Sequence, residues 1–177
     1  MINAKEYAKA MFLLSKEENK LPRFEEELSL LRELFTENPK YATLLDTPAV
    51  SESEKLSLID EALSELDEHI VSFVKILASK RMTSLIPACV REFLTLCDEE
   101  RGIENVEAIT AIPMTEKQKN TLSEKLGRIT GKTVRVKNVT DPSVLGGVRV
   151  RCKSIEIDGT FKTRLAELEG AIKKEIV

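Results

Sequence analysis

The hydrophobic periodicity of this chain changes at Gly102. Before it, apolar residues recur every three or four positions, which is typical of helices that bury one face. After it, apolar residues alternate with others between Val106 and Ile112, as in a strand with one buried face. We therefore expect an α+β chain, with an N-terminal six-helix bundle over residues 1–105 and a small C-terminal α/β domain over residues 106–177.

Caps and stops divide the first part into six helices. Ser51 with Glu54 is a capping box, and Asp67 is a candidate N-cap. Ser84 is expected to cap the sixth helix, with Pro87 in its first turn, where a missing N–H costs no intrahelical bond. The expected segments are about 3–18, 22–38, 41–46, 51–63, 67–77 and 84–101. Residues expected to face inward include Phe24, Leu28, Leu31, Phe35, Ile70, Phe73, Val74, Leu77, Leu85, Cys89, Phe93 and Leu96.

The second part reads as strand, helix, three strands and helix. Thr115 with Gln118 is another capping box, and the helix that it opens ends at Gly131. A turn at Lys153-Ser154 is expected to join two strands, and a final helix is expected from Thr160. Apolar positions that define these elements are Val106, Ala108, Thr110 and Ile112, then Leu122, Leu126 and Ile129, then Val134, Val136, Val148, Val150, Ile155 and Ile157.

The two parts carry opposite charge. Residues 1–105 have 13 lysines and arginines against 21 aspartates and glutamates, a net charge of −8, whereas residues 106–177 have 14 against 9, a net charge of +5. Seven of the eight aromatic residues also precede residue 105. The two parts are therefore expected to prefer partners of different charge.

Residues for catalysis are scarce. His69, the chain's single histidine, lies beside Asp67 at a helix start, where a solvated polar role is far more probable than catalysis. Gly146-Gly147 precedes a strand and lacks the lysine and serine or threonine of a phosphate-binding loop. The cysteines, Cys89, Cys97 and Cys152, have no metal-binding spacing and are interpreted as reduced, structural thiols. We expect no catalytic residues, cofactor or metal.

Two other functions remain open. The first is a nucleic-acid-binding adaptor that uses the basic C-terminal domain, although Phe161 is its only aromatic residue and single-strand binders need aromatic platforms. The second is an enzyme with a carboxylate site around Asp141 and Asp158. No run approaches the roughly 18 apolar residues of a membrane span, so the chain is expected to stay in the cytoplasm without crossing a bilayer.

The fifth helix is apolar around most of its circumference, from Ile70 to Ala78, whereas a surface helix needs only one buried face. A central position in the bundle and a groove for a partner helix explain this pattern about equally well. The first helix adds Phe12, which flanks its main stripe, and Leu13, which points far round from it, and its small Ala4 and Ala8 permit close helix approach.

These segments together resemble the delta subunit of the F-type ATP synthase, the bacterial counterpart of the mitochondrial oligomycin-sensitivity-conferring protein. The resemblance rests on the opening run 7–12 (YAKAMF), the run 141–150 (DPSVLGGVRV), Ile157-Asp158-Gly159-Thr160 and Arg164-Leu165, with a further match at Thr130-Gly131-Lys132. It spans essentially the whole chain, with mild departures at Glu6, Met11 and Thr160.

The resemblance implies a non-catalytic stator subunit at the cytoplasmic face of the cell membrane, peripheral, within a hetero-oligomeric complex, with neither nucleic-acid binding nor membrane insertion. It implies binding of an alpha-subunit N-terminal helix through the first and fifth helices, and of the peripheral-stalk b subunits through the C-terminal domain. For alpha the expected residues are Ala4, Tyr7, Ala8, Met11, Phe12, Val71, Val74 and Ala78; for b they are Arg149, Arg151, Lys162 and Arg164.

Overall fold

A computed structural model describes residues 4–144, 146–152 and 156–159. The chain divides into two compact units, Met1–Cys97 and Asp98–Val177. Over the described residues it is α+β, with seven α-helices and one four-stranded sheet, which confirms the expected fold class. The division falls within the sixth helix, whereas the boundary expected from the sequence falls within the first strand.

The helices of the first unit follow the expected order. A short 3-10 helix, Thr83–Leu85, precedes the sixth α-helix, which runs into the start of the second unit. The helices are α1 Ala4–Glu17, α2 Leu21–Glu37, α3 Pro39–Asp46, α4 Glu52–Ala62, α5 Glu68–Ser79 and α6 Ile86–Glu100.

Local side-chain chemistry explains where α4 and α5 begin. Ser51 Oγ accepts a hydrogen bond from the Glu54 backbone N–H at 3.3 Å, and the Ser51 N–H donates to Glu54 Oε2 at 3.0 Å. Asp67 Oδ1 accepts from the His69 N–H at 3.1 Å. Both predicted caps are confirmed, and each satisfies backbone donors that the first helical turn leaves without partners.

The predicted cap of the sixth helix is wrong. Ser84 lies inside the 3-10 helix, and its N–H donates to Asp46 Oδ2 at 3.3 Å. The same carboxylate accepts from the Thr83 N–H at 2.9 Å, so α3 supplies the cap from a distant part of the sequence. Pro87 still lies in the first turn of α6, as expected.

One hydrophobic core joins α1 to α6. It includes the expected stripes of α2 and α5, and Cys89, Phe93 and Cys97 of α6 are buried, whereas Leu85 and Leu96 are only partly buried. Its fully enclosed side chains include Phe24, Leu28, Leu31, Leu45, Ile59, Ile70, Val74, Leu77, Ile86, Val90 and Phe93.

The second unit has the strand order β2-β1-β3-β4. Strand β1 pairs in parallel with β2 and antiparallel with β3, which in turn pairs antiparallel with β4. Helix α7 begins after the Thr115 capping box and ends at Gly131, whose φ of 69° suits glycine. The bounds are β1 Ile103–Thr110, α7 Glu116–Thr130, β2 Thr133–Thr140, β3 Val148–Arg151 and β4 Glu156–Asp158.

Three of the apolar positions expected in this unit lie outside its core, namely Ile112, Ile129 and Ile157, of which Ile157 in β4 is 44% exposed. Ile112 is 75% exposed because β1 ends at Thr110, whose Oγ1 donates to the Ile112 carbonyl and bends the chain. Ile129 is 70% exposed in the last turn of α7, which packs on the edge strand β2. Leu126 is buried with Val106, Val134 and Val150, as expected. The predicted turn at Lys153-Ser154, the strand position Ile155 and the helix from Thr160 lie outside the described residues.

No helix in the described ranges combines the length and apolar character that spanning a membrane would require.

Candidate partner-binding surfaces

Helix α1 contacts α5 and the residue that follows it through the side chain of Tyr7. The rings of Tyr7 and Phe73 meet edge to face with their centroids 6.2 Å apart. Lys80 Nζ donates to the Tyr7 hydroxyl at 3.1 Å and lies 5.6 Å from the centre of the Tyr7 ring. The two helices named for the alpha-subunit contact are therefore neighbours in the first unit.

The eight residues expected to bind the alpha subunit fall into two groups. Ala8, Met11, Val74 and Ala78 are buried, with at most 7% of any of them exposed. The partly buried group consists of Ala4, Tyr7, Phe12 and Val71. The buried group packs within the unit, so direct contact with a partner is open only to the second group in this conformation.

The interior of this region is closed. Ala8 and Met11 pack with Phe73 and Phe93 around a gap with no room for a water molecule. The buried faces of α1 and α5 therefore leave no space for a further helix between them.

Each of these two helices also carries an exposed apolar residue. Leu13 is 50% exposed and Ile76 is 47% exposed. At about 100° per residue, Ile76 lies about 60° from Phe73 on the helix circumference and therefore on the side of α5 that faces Tyr7. Around the circumference of α1, Ala10 lies about 60° from Tyr7 and about 60° from Leu13, and therefore between them. We call Tyr7, Ala10, Leu13 and Ile76 the α1–α5 surface.

Sequence reasoning did not select Leu13 and Ile76 as binding residues. Leu13 lies opposite the buried stripe of α1, and Ile76 lies beside the buried stripe of α5, about 60° beyond Phe73, where an apolar side chain remains about half exposed. An apolar residue outside the buried stripe of its helix is the sequence signal that could have identified them. Ala8 and Val74 belong to the buried stripes and pack in the core.

A second candidate surface is the sheet face opposite α7. Strand pairing places Lys137 and Arg151 on either side of Glu107, and Arg149 beside Ile109. Arg135 lies on the same face, opposite Asn105. We call Arg135, Lys137, Arg149 and Arg151 the basic face; Lys162 and Arg164, also expected to bind the b subunits, lie outside the described residues.

Acidic side chains partly neutralise the positive charge of the basic face. Arg149 Nε donates to Asp158 Oδ2 at 3.0 Å, and Arg135 lies 3.4 Å from an oxygen of Asp98. Glu107 is exposed in its centre. This mixture of positive and negative side chains favours a protein partner over a nucleic acid, because a phosphate backbone binds best to a continuous positive surface.

The carboxylates considered for an enzyme have structural roles. Asp141 Oδ1 accepts from the Ser143 N–H at 2.9 Å, and hydrogen bonds from Ser143 lower the pKa of Asp141. Asp158 accepts the hydrogen bond of Arg149. A carboxyl group that acts as a general acid needs a raised pKa. The lowered pKa of Asp141 is the opposite of what that chemistry requires. Among the described residues, no group of three His, Cys, Asp or Glu side chains could hold a metal ion.

Exposed apolar side chains on one unit and a mixed-charge sheet face on the other define a protein-binding module. The comparisons with known proteins make the class specific. The sequence model of the family described as "ATP synthase delta (OSCP) subunit" matches residues 4–172. The chain belongs to this family.

Individual relatives agree along almost the whole chain. ATP synthase subunit delta of Bacillus cytotoxicus is 32% identical over 174 residues, which cover 98% of this chain and 97% of the relative. The Geobacillus protein of the same name is 31% identical and 95% of each chain is covered. A chain in the cryo-EM structure of the Toxoplasma gondii mitochondrial ATP synthase hexamer shares the fold, with a TM-score of 0.72 and 18% identity over 97% of this chain and 98% of that one.

Members of the family are non-catalytic structural subunits of ATP synthase that belong to its stator, and this chain is one of them.

Proposed function

We propose that this protein links the alpha subunit at the top of the catalytic head to the b subunits of the peripheral stalk. The head is subject to torque whenever the central rotor turns, and without a static connection it would turn with the rotor. The chain would work at the cytoplasmic face of the cell membrane as a peripheral part of a hetero-oligomeric complex. Its family membership and its two chemically different surfaces support this role.

In this proposal, residues 1–105 act as a six-helix bundle that receives an alpha-subunit N-terminal helix. The observation that carries it is the exposure of Leu13 and Ile76 on helices that already touch through Tyr7 and Phe73. An amphipathic helix laid along them would cover both side chains. Ala4, Phe12 and Val71 extend the contact, and the buried Ala8, Met11, Val74 and Ala78 hold the two helices in place from within.

The b subunits meet residues 106–177. Arg149 and Arg151 of the basic face would receive acidic side chains of the stalk, together with Lys162 and Arg164. Charged pairs at such a contact favour the correct orientation and rapid association more than they favour affinity.

A tether under repeated torque must dissociate slowly. Interface changes act mostly on the dissociation rate, so apolar contact at the α1–α5 surface matters more than electrostatic steering there. We expect this contact to lie in the standard range of roughly 1,200 to 2,000 Å² of total buried area.

Substitution of the exposed residues tests the alpha-subunit contact. Leu13→Asp and Ile76→Asp are each expected to weaken binding of an alpha-subunit N-terminal peptide at least about tenfold, because each places a charge on the apolar track. Titration calorimetry with the full chain measures this. Neither change should lower helicity, since both positions are about half exposed.

Leu44→Asp is the matched control, because Leu44 is a similarly exposed leucine, at 42%, and belongs to α3 rather than to α1 or α5. Equal affinity in all four proteins would overturn the contact. Ala8→Glu is unsuitable as a test, since Ala8 is 1% exposed and a buried carboxylate would destabilise the whole unit.

A further inference from the structure

The first unit also has a groove whose lining includes no residue of the α1–α5 surface. It has a volume of about 450 Å³ and lies between α2 and the segment from the end of α4 to the start of α5. We call it the acidic groove; the residues that line it are Leu30, Leu31, Leu34, Glu61, Ala62, Leu63, Ser64, Glu65 and Leu66. None of them belongs to α1 or α5.

The floor of the acidic groove is apolar and open to solvent. Leu30 is 54% exposed, more than any other large apolar residue of the described first unit. Leu34 and Leu66 beside it are partly buried. An exposed leucine in the lining of a groove is costly to leave in water, and a partner's apolar side chains would cover it.

The rim is strongly acidic. Glu61 and Glu65 line one side. On α2, Glu26, Glu33 and Glu37 all fall within about 60° of Leu30 around the helix axis. In the described part of the chain, none of these five carboxylates forms an ion pair with a lysine or arginine.

Nearby cations do not neutralise this rim. Arg23 shares the face of α2 that carries Leu30, but its Nε is 2.6 Å from Glu27 Oε1 and its Nη1 is 3.8 Å from Asp67. Arg32 points to the opposite side of α2, about 160° from Leu30. The rim therefore keeps an excess of negative charge around an apolar floor.

A second depression, of about 640 Å³, lies along α4 and shares Glu61 with the acidic groove; its lining includes Val50, Glu54 and Leu58. Helix α4 has 11 residues, about 16 Å at 1.5 Å per residue. The acidic groove and the depression along α4 are together long enough for about three turns of a helix.

We propose that the acidic groove binds a basic amphipathic helix of a partner protein, with leucine-like side chains over Leu30, Leu34 and Leu58 and lysines or arginines against Glu33, Glu61 and Glu65. The inference does not depend on the proposed function, because it concerns different helices and a partner of different charge.

The probe is a synthetic 15-residue helix with leucines at positions i, i+3, i+7 and i+10 and lysines on both flanks. Fluorescence anisotropy with the full chain is expected to show binding that weakens at least about tenfold for Leu30→Asp and for the pair Glu61→Lys, Glu65→Lys. Leu44→Asp, at a similarly exposed leucine on α3, is expected to bind like the unsubstituted chain. Circular dichroism of each variant verifies folding.

Four results would overturn the proposal. The first is equal binding of a scrambled peptide with the same composition, which would indicate general charge attraction. The second is equal loss in Leu30→Asp and Leu44→Asp. The third is loss with Leu13→Asp but not with Leu30→Asp, which would place the peptide on the α1–α5 surface. The fourth is self-association of the chain that Leu30→Asp abolishes, since a second copy would then be the occupant.

Discussion

At the scale of single residues, Asp67 is a buried carboxylate of the first unit, only 5% exposed. It caps α5 through the His69 N–H, and Lys20 Nζ lies 3.3 Å from its Oδ2. Its own N–H donates to Glu27 Oε2 at 2.6 Å, which fixes the start of α5 against α2. Burial alone would raise the pKa of Asp67, but the His69 hydrogen bond and the Lys20 ammonium outweigh it and lower the pKa.

Asp67→Ala is expected to lower the free energy of unfolding by about 1 to 2 kcal/mol at pH 7, because α5 loses its cap and Lys20 its partner. Asp67→Asn should cost less, since asparagine also caps helices. Urea unfolding followed by circular dichroism measures both.

The same pair of variants gives a pH dependence. The lowered pKa means that the stabilising charge is fully present above about pH 4, the usual value for aspartate, and is lost as the pH falls through the lowered pKa. The advantage of the unsubstituted chain over Asp67→Asn should shrink over that acidic range. An advantage that is constant down to pH 2 would show that the charge of Asp67 contributes nothing.

Residue burial was predictable where one helix face meets the core. Phe24, Leu28 and Ile70 could be assigned from spacing because the periodicity of a helix alone decides which side they occupy. The same spacing placed Val74 in the inward stripe of α5 and left out Ile76, and the structure agrees, since Val74 is buried and Ile76 is 47% exposed. Spacing could not show that Val74 has no surface left for a partner, because that depends on how closely the other helices pack around α5.

At the scale of elements, local chemistry sets some boundaries and distant contacts set others. The capping boxes at Ser51 and Thr115 are complete within four residues, so the starts of α4 and α7 could be predicted. The 3-10 helix at Thr83 depends on Asp46, 37 positions away, so the sequence pattern suggested Ser84 as a cap instead. The end of β1 likewise depends on where its pairing with β2 stops at Thr110 and Thr140.

Asn138 fixes the connection between β1 and α7. Its Nδ2 donates to the Ala108 carbonyl and to Thr110 Oγ1, each at 2.8 Å, and its Oδ1 accepts from the Met114 N–H at 2.8 Å. Asn138→Ala is expected to lower stability by about 1 to 3 kcal/mol because partly buried polar groups lose their partners.

Hydrogen exchange is the specific measurement for Asn138→Ala, since the Met114 amide should exchange faster in the variant. Asn138→Asp is the control, because it keeps the acceptor for Met114 but loses both donors. Unchanged exchange at Met114 in Asn138→Ala would contradict the assignment of this bond.

At the scale of the whole molecule, the charge difference between the two parts has a direct consequence. Binding of a soluble b-subunit segment to the basic C-terminal part is expected to weaken several-fold between 0.1 and 1 M salt, because the Debye length falls from about 10 to about 3 Å. Arg151→Glu should weaken the same contact at low salt. Binding of the alpha-subunit peptide should change little with salt, and stalk binding that is equally insensitive would contradict the electrostatic contact.

The central claim is that one copy of this protein holds the catalytic head and the stalk at the same time. Native mass spectrometry of the purified head, a soluble b-subunit stalk and the full chain tests it most directly. We expect a complex that contains all three components and forms only when the chain is added. The Ile76→Asp variant should form less of this complex. A chain that joins the head and the stalk only in separate complexes, or a head and stalk that associate equally well without it, would contradict the account.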